Sequence, residues 1–231
     1  MDFAFLWTAL QAAAARIPAT LSLAFVPFAA GILVGLPTAL VRRSSLPVLP
    51  NVLAGLVALI KGIPVVLMML VFFVLASETF DGFMQSLGLP WTFRELDKSL
   101  VAGAALTVYA TAAMCEVFRG ALAAVPQSQY DAAYAAGLTG AQTLRRIILP
   151  QMVAPALPMT CNILVALVKS AAIASLVSVV DVMNGAVIAA AGNYRFLEAY
   201  IAAALVYWAL CLLIENIFRL AEKKCARRFA V

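Results

Sequence analysis

Residues 18–41 of this chain read PATLSLAFVPFAAGILVGLPTALV, and no side chain among them is charged. A helix that crosses the hydrocarbon core of a membrane, about 30 Å thick, needs roughly 20 mostly apolar residues. This stretch has that length, and it stops at two consecutive arginines, Arg42 and Arg43. Because lipid cannot satisfy open backbone donors and acceptors, such a segment must be helical. The stretch therefore predicts a transmembrane helix from about Pro18 to about Val41.

Four further apolar stretches of sufficient length follow along the chain. They cover approximately residues 49–76, 99–118, 154–180 and 198–220. The first of them is interrupted by residues 61–64, KGIP, and the third contains Lys169. Residues 3–15 are apolar but short, and no basic residue precedes them, so we expect a leading or interfacial helix and not a cleavable signal. The sequence thus predicts an all-α bundle of about five transmembrane helices, in a single domain over residues 1–231.

The composition also indicates a membrane protein. Hydrophobic residues make up 65% of the chain and charged residues 12%, whereas a soluble domain is typically about 45–50% apolar and about 25% charged. The net charge of +5 comes from short basic clusters between apolar stretches, which is typical of membrane-flanking loops and does not favour nucleic-acid binding. The chain has no histidine, no metal-type cysteine spacing and no GxxxxGKS/T phosphate loop. We therefore expect no metal site, no cofactor in this chain and no enzymatic activity of its own.

The basic residues predict which end of the bundle faces the cytoplasm, because cytoplasmic loops carry an excess of lysine and arginine. If the C-terminus is inside, ten basic residues lie on the cytoplasmic side: Arg42, Arg43, Arg119, Arg145, Arg146, Arg219, Lys223, Lys224, Arg227 and Arg228. Four lie outside: Arg16, Arg94, Lys98 and Arg195. With five spans, this asymmetry predicts an N-outside, C-inside orientation, with the loop between the third and fourth spans in the cytoplasm.

That loop contains helix signals of its own. Residues 126–150 read PQSQYDAAYAAGLTGAQTLRRIILP. We expect Ser128 to cap a short helix, with the acid three residues later completing a capping box, and Gly137 to end it in the left-handed conformation. A second helical piece from about Ala141 is expected to end before Pro150. Because a short exposed helix is not stable alone, it either docks in a groove of a partner or rests on lipid headgroups.

The spacing within this loop resembles a known motif. The pattern DAA-x3-G-x9-I-x-LP, starting at Asp131, is similar to the EAA loop of import permeases of the ATP-binding-cassette (ABC) class, with aspartate in place of the usual glutamate. In that family the loop carries a coupling helix that docks on a separate ATPase subunit. The resemblance implies that the coupling residues are Asp131, Ala132, Ala133, Tyr134, Gly137, Leu138, Ile147, Leu149 and Pro150.

The resemblance extends over nearly the whole chain. Residues 116–120, EVFRG, are similar to the ExxRG segment of polar amino-acid permeases, and residues 61–64, KGIP, are similar to their RGTP segment. Ala58 stands where the latter usually has glutamate, so any role of that acid is absent here. Residues 167–170, LVKS, resemble a segment of the fourth span. Together with residues 178–182, they are most similar to the histidine, lysine, arginine, ornithine and opine branch.

This resemblance implies the type I ABC importer permease fold, in a bacterial cytoplasmic (inner) membrane. The chain would form the translocation pathway for polar amino acids or opines, with basic amino acids as the favoured class. Implied partners are a dimer of ATPase subunits that binds ATP and Mg²⁺, a second permease subunit, identical or homologous, and a periplasmic or lipid-anchored substrate-binding protein. The alternative function is a stand-alone channel or secondary transporter, and a membrane enzyme or assembly factor is a further one.

Four charged residues in or near the spans are candidates for the substrate pathway: Lys61, Glu116, Arg119 and Lys169. A charge at the centre of a spanning helix costs at least about 2.5–3.5 kcal/mol, so it persists only when paired or in contact with water. Glu116 and Arg119 are three positions apart and are expected to pair on one helix face, although Arg119 could instead snorkel to the interface. We also hypothesise that Glu116 favours a cationic substrate.

Overall fold

The chain is helical through nearly all of the part that the structure describes. A computed structural model describes the backbone of residues 1–229 and the side chains of residues 1–225. Five helical stretches are long and apolar enough to cross a membrane, and residues 1–229 contain no strand. The predicted all-α, multi-pass architecture is therefore confirmed. The side chains of Arg227 and Arg228, which were assigned to the cytoplasmic side, lie outside the described residues.

Ten α-helices are present in the described residues. They are α1 (Phe3–Ala14), α2 (Ile17–Arg42), α3 (Leu49–Gly62), α4 (Val65–Ser86), α5 (Lys98–Ala124), α6 (Gln127–Ala135), α7 (Gly140–Thr143), α8 (Leu149–Ala171), α9 (Val182–Ala190) and α10 (Phe196–Phe229). A π-helical turn, Leu144–Ile148, joins α7 to α8, and a 3₁₀ turn, Ala172–Val177, follows α8. The expected leading helix is α1, and the first predicted span corresponds to α2.

Two of the predicted spans are not single helices. The second, residues 49–76, is interrupted between α3 and α4, where Ile63 is extended (ψ 126°) ahead of Pro64, which has no N–H to continue a helix. The KGIP stretch predicted this interruption. α4 alone is long enough to cross a membrane, so this span is Val65–Ser86 and α3 is a separate, shorter helix. We expected the fourth span to be one helix over residues 154–180. Instead, α8 ends at Ala171, and the chain turns at Ser178, whose φ is 66°.

The chain becomes helical again after Asp181, whose buried carboxylate stabilises the start of α9. One carboxylate oxygen accepts a hydrogen bond from the backbone N–H of Asn184 at 2.9 Å, and the other accepts from the hydroxyl of Tyr207 in α10. Nearby, the hydroxyl of Thr20 in α2 accepts from the backbone N–H of Val182 at 3.1 Å. These side chains satisfy polar groups that the interrupted helix leaves open, so a new helix, α9, can start inside the bundle.

The buried apolar residues form two clusters. The larger one joins residues of α1, α2, α4, α5, α8, α9 and α10. The smaller one lies beneath the loop of residues 126–150, and we call it the loop cluster. It consists of Ala39, Val57, Ala112, Met114, Cys115, Val117, Phe118, Ala121, Leu122, Val125, Ile148, Met152 and Ala156. The polar loop therefore rests on a core of its own, at what we call the loop end of the bundle.

Candidate functional site

The first helix of the polar loop, α6, starts directly after a proline. Val125 is extended (ψ 122°), as is usual before proline, and Pro126 is the N-cap without any side-chain capping bond. The prediction that Ser128 caps this helix is wrong, because the chain becomes helical immediately after Pro126 and Ser128 falls within the first turn. Asp131 is not a capping acid either, since its carboxylate accepts from the side-chain amide of Gln127 at 3.1 Å.

The predicted end of α6 at Gly137 is confirmed. Gly137 has a φ of 78°, in the left-handed region that glycine adopts without strain. Its N–H donates to the carbonyl of Tyr134 at 2.9 Å, and the N–H of Leu138 donates to the carbonyl of Ala133 at 3.1 Å. This pair of bonds is the Schellman motif, which closes the helix and turns the chain sharply toward α7.

The two faces of α6 have different environments. Ala133 is 5% exposed, and Tyr130 packs partly buried against the loop cluster. On the other face, Asp131 and Ala132 are exposed. Tyr134, one turn after Tyr130 and therefore at the edge of the anchored face, is 53% exposed. The helix is thus anchored to the bundle through one side and leaves an acid and an aromatic ring exposed.

Beyond the turn, the second helical piece begins at Gly140, close to the predicted start at Ala141, but the prediction that it ends before Pro150 is wrong. α7 is a single turn with a true capping box: the Thr139 hydroxyl accepts from the N–H of Gln142 at 3.4 Å, and the Gln142 side chain accepts from the N–H of Thr139 at 2.9 Å. The π-helical turn then leads directly into α8. Pro150 is the second residue of α8, so the helical path passes through it. The T-x-x-Q spacing is the signal that identifies this cap.

The apolar residues of the motif face inward. Ile147 and Leu149 pack against the loop cluster, and Leu138 and Pro150 are half-buried. Ile148, which lies between two motif positions, is fully buried. These residues therefore attach the loop to the bundle, whereas the residues of the exposed face of α6 are available to another molecule.

The predicted pair of Glu116 and Arg119 is present and includes a third residue. Two guanidinium nitrogens of Arg119 donate to one carboxylate oxygen of Glu116, at 3.0 and 2.8 Å. Arg42 of α2 donates to the other oxygen at 2.5 Å and lies 3.4 Å from the sulfur of Cys115. We call Arg42, Glu116 and Arg119 the charge triad. Both oxygens of Glu116 are therefore bound by guanidinium groups.

The two lysine candidates lie apart from the charge triad. Lys61 is in the last turn of α3, beside the break in the second span, and Lys169 is in the last turn of α8. Both side chains are exposed, and neither takes part in the three ion pairs found among the described residues. The structure thus does not bring the four candidate charges together in one site.

Comparison with known proteins shows a family that spans most of this chain. Residues 31–227 match the family described as binding-protein-dependent transport system inner membrane component. The chain belongs to this family. It is therefore a multi-pass protein of the inner membrane, and the resemblance to ABC import permeases is confirmed.

Relatives of this permease match it along nearly its full length. The probable amino-acid permease protein YxeN of Bacillus subtilis is 30% identical over 230 residues, which is 97% of each chain. The nopaline transport system permease protein NocM of Agrobacterium fabrum is 30% identical over 208 residues, which is 90% of this chain and 85% of NocM.

Solved structures share the fold of the permease. A crystal structure of an amino acid ABC transporter with histidines has a TM-score of 0.81 at 25% identity, covering 97% of this chain and 99% of that one. An inward-facing structure of the MetNI methionine ABC transporter has a TM-score of 0.72 at 18% identity, with the same coverage. The type I importer permease fold predicted from the sequence is therefore confirmed.

Two residues of the permease make contacts at the loop end that the sequence did not predict. Arg42 completes the charge triad from 74 positions away, and Tyr130 anchors α6 on the loop cluster. The position of Arg42, directly after an apolar stretch, indicates only a membrane boundary. Its carboxylate partner becomes evident only when α2 and α5 are seen side by side.

Proposed function

We propose that this permease is the membrane subunit of an ABC importer and that α6 couples translocation to a separate ATPase subunit. The observation that carries the proposal is the exposed face of α6. This helix has nine residues, too few for stability in isolation, yet Ala133 and Tyr130 hold it on the bundle. Asp131 and Tyr134 are exposed. An aromatic ring on a helix held in this way suits a partner groove, where aromatic anchors contribute much of the binding energy.

The break between α3 and α4 supports a translocation pathway along the side of the bundle where these two helices lie. Lys61 and Gly62 are exposed, and Ile63 is 38% exposed, so the rest of the chain does not cover them. Open backbone and an ammonium group are not tolerated against lipid. We therefore assign this side to a water-containing pathway shared with a second permease subunit, identical or homologous. Lys169, also exposed, is the second candidate for lining it.

The substrate class is inferred from similarity. Relatives are named as nopaline, octopine and L-cystine permeases, and the LVKS segment resembles the basic amino-acid branch. We therefore propose polar amino acids or opines, with basic ones as the first candidates. Glu116 could select a cationic substrate only in a conformation in which Arg42 or Arg119 releases it, because both of its oxygens are bound here.

The transport cycle that follows is alternating access. A substrate-binding protein would deliver the substrate at the end opposite the loop. ATP and Mg²⁺ would bind to the ATPase dimer, whose closure would displace α6 and reorient the bundle. The permease itself would supply the pathway and the coupling helix.

The proposed docking is tested by ATPase recovery on affinity purification. We expect the tagged permease, solubilised in mild detergent, to co-purify with ATPase subunits that mass spectrometry identifies. Tyr134→Ala should lower the ATPase recovered by at least roughly five-fold, because losing an aromatic anchor typically costs more than about 1 kcal/mol. Tyr194→Ala is the matched control, since Tyr194 is 81% exposed and lies at the end opposite α6.

Two results would contradict the proposal. ATPase recovery that is unchanged by Tyr134→Ala would exclude docking through this face of α6. Substrate uptake by vesicles that contain the permease without any ATPase would support the alternative, a stand-alone channel or secondary transporter. The same purification would show whether a second, different permease chain is present.

A further inference from the structure

The last turn of α2 contacts two parts of the loop end at once. Arg42 binds Glu116 of α5, as described above. Its neighbour Arg43 lies over the ring of Tyr130 in α6, with the guanidinium carbon 5.9 Å from the ring centroid. Consecutive residues at one helix end therefore contact both the bundle and the loop helix.

The contact between α2 and α5 is tight along their length. A Cβ added at Gly31 would lie 2.9 Å from the backbone of Ala110, and one added at Gly35 would lie 2.8 Å from the side chain of Met114. This small-xxx-small spacing lets two helices approach closely. At the loop end, the side chain of Arg42 is only 11% exposed, so its charge-assisted bond is poorly hydrated and strong. We therefore expect α2 and α5 to move as one body.

Besides the packing of Tyr130 on the loop cluster, the polar contacts between α6 and the spanning helices are few. Among the described residues, Arg43 on Tyr130 links α6 to α2. The other polar link is the side-chain amide of Gln151 in α8, which donates to Gln129 of α6 at 3.0 Å. The chain itself connects α6 to α5 through Val125 and Pro126, whereas Arg43 gives α6 a direct side-chain contact with the end of α2.

We propose that Arg43 is a positioning residue that couples α6 directly to the end of α2 through Tyr130, in addition to the covalent connection between α6 and α5, while Arg42 fixes the end of α2 to α5. This inference rests on the proposed coupling of α6 to an ATPase. A guanidinium group suits the role because it stays charged, is weakly hydrated and stacks on an aromatic face. The contact requires the ring of Tyr130 and does not require its hydroxyl.

The far end of α2 offers a place to detect the movement. Ser22 is exposed and lines a cavity of about 510 Å³ together with Ser99 of α5 and Ser178. Three of the four cysteines are buried, namely Cys115, Cys161 and Cys211. Replacing Cys225 with serine and Ser22 with cysteine therefore places one accessible thiol at this cavity.

The experiment measures maleimide labelling of Ser22→Cys in the complete complex, without nucleotide and with ATP plus vanadate. We expect nucleotide to change the labelling rate when Arg43 is present. Arg43→Ala should reduce that change roughly two- to five-fold, as the loss of one exposed cation–π contact implies. Tyr130→Leu should reduce it equally, whereas Tyr130→Phe keeps the ring and should keep the response.

The controls separate this inference from the proposed function. Lys224→Ala removes an exposed charge at the same end of the bundle and should leave the response unchanged. The double variant of Arg43→Ala with Tyr130→Leu should keep a nucleotide-dependent change in labelling at least as large as that of the less responsive single variant. The reason is that both substitutions remove the same contact. A full response in Arg43→Ala, with ATPase recovery unchanged, would overturn this inference alone. No nucleotide response with Arg43 and Tyr130 intact would overturn the proposed coupling, and this inference with it.

Discussion

Gly31 and Gly35 set the distance between α2 and α5, and this distance has consequences at the loop end. Because neither residue has a Cβ, the backbone of α2 lies directly against Ala110 and Met114. The close approach holds the C-terminal turn of α2 within reach of Glu116, so that Arg42 can bind it. The charge triad therefore depends on two small residues that carry no charge themselves.

Replacing Gly35 with alanine should destabilise the permease. The added Cβ would meet the backbone nitrogen of Cys115 at 2.9 Å, so the two helices would have to separate. We expect a loss of about 1–3 kcal/mol, the usual cost of overpacking a core, measured from thermal unfolding in detergent. Gly55→Ala is the matched control, because a Cβ there meets nothing within 4 Å, and alanine should slightly favour the helix. Equal unfolding midpoints for the two variants would contradict the predicted contact.

At the scale of elements, the direction of α7 relative to α6 depends on the left-handed turn at Gly137. A non-glycine residue in this conformation costs roughly 1–2 kcal/mol, more so when it is β-branched. The exposed face of α6 and the apolar anchors Ile147 and Leu149 lie on opposite sides of this turn. Its geometry therefore determines how α6 is presented while the rest of the loop stays attached.

Gly137→Val should uncouple transport from ATP hydrolysis. The strained turn would shift α6. With a radiolabelled basic amino acid, the substrate class proposed above, we expect import by proteoliposomes that contain the complete complex to fall several-fold while ATP hydrolysis continues. Gly137→Asn is the conservative control, because asparagine tolerates the left-handed region, and it should retain most of the coupling. Normal import by Gly137→Val at normal membrane levels would refute this role.

At the scale of the whole molecule, the predicted orientation can be measured with single thiols in a Cys225→Ser background. Thr92 and Ser128 are both exposed and lie at opposite ends of the bundle. If the N-terminus is outside, a membrane-impermeant maleimide should label Thr92→Cys in spheroplasts and should label Ser128→Cys only after permeabilisation. The physical reason is the excess of basic residues at the loop end. The reverse labelling pattern would invert the proposed topology.

Much of the fold followed from local rules. The number of spans depends on apolar length relative to bilayer thickness, and the interruption between α3 and α4 depends on Pro64, which lacks an N–H. The turn at Gly137 and the pair of Glu116 with Arg119 depend on residues within a few positions of one another. Such features are predictable from sequence because the atoms that cause them are neighbours along the chain.

Other features depend on contacts between distant segments. The sequence of residues 126–150 determined that the loop is helical and resembles a coupling motif, but it placed the first cap at Ser128 and a helix end at Pro150, both incorrectly. Only the tertiary structure shows that the π-helical turn continues into α8 with Ile148 buried in the loop cluster. Likewise, only the packing of α2 on α5 decides that Arg42 binds Glu116. Local sequence determines which segments are helical, whereas the free energy of burying and pairing side chains from separate helices determines where they lie.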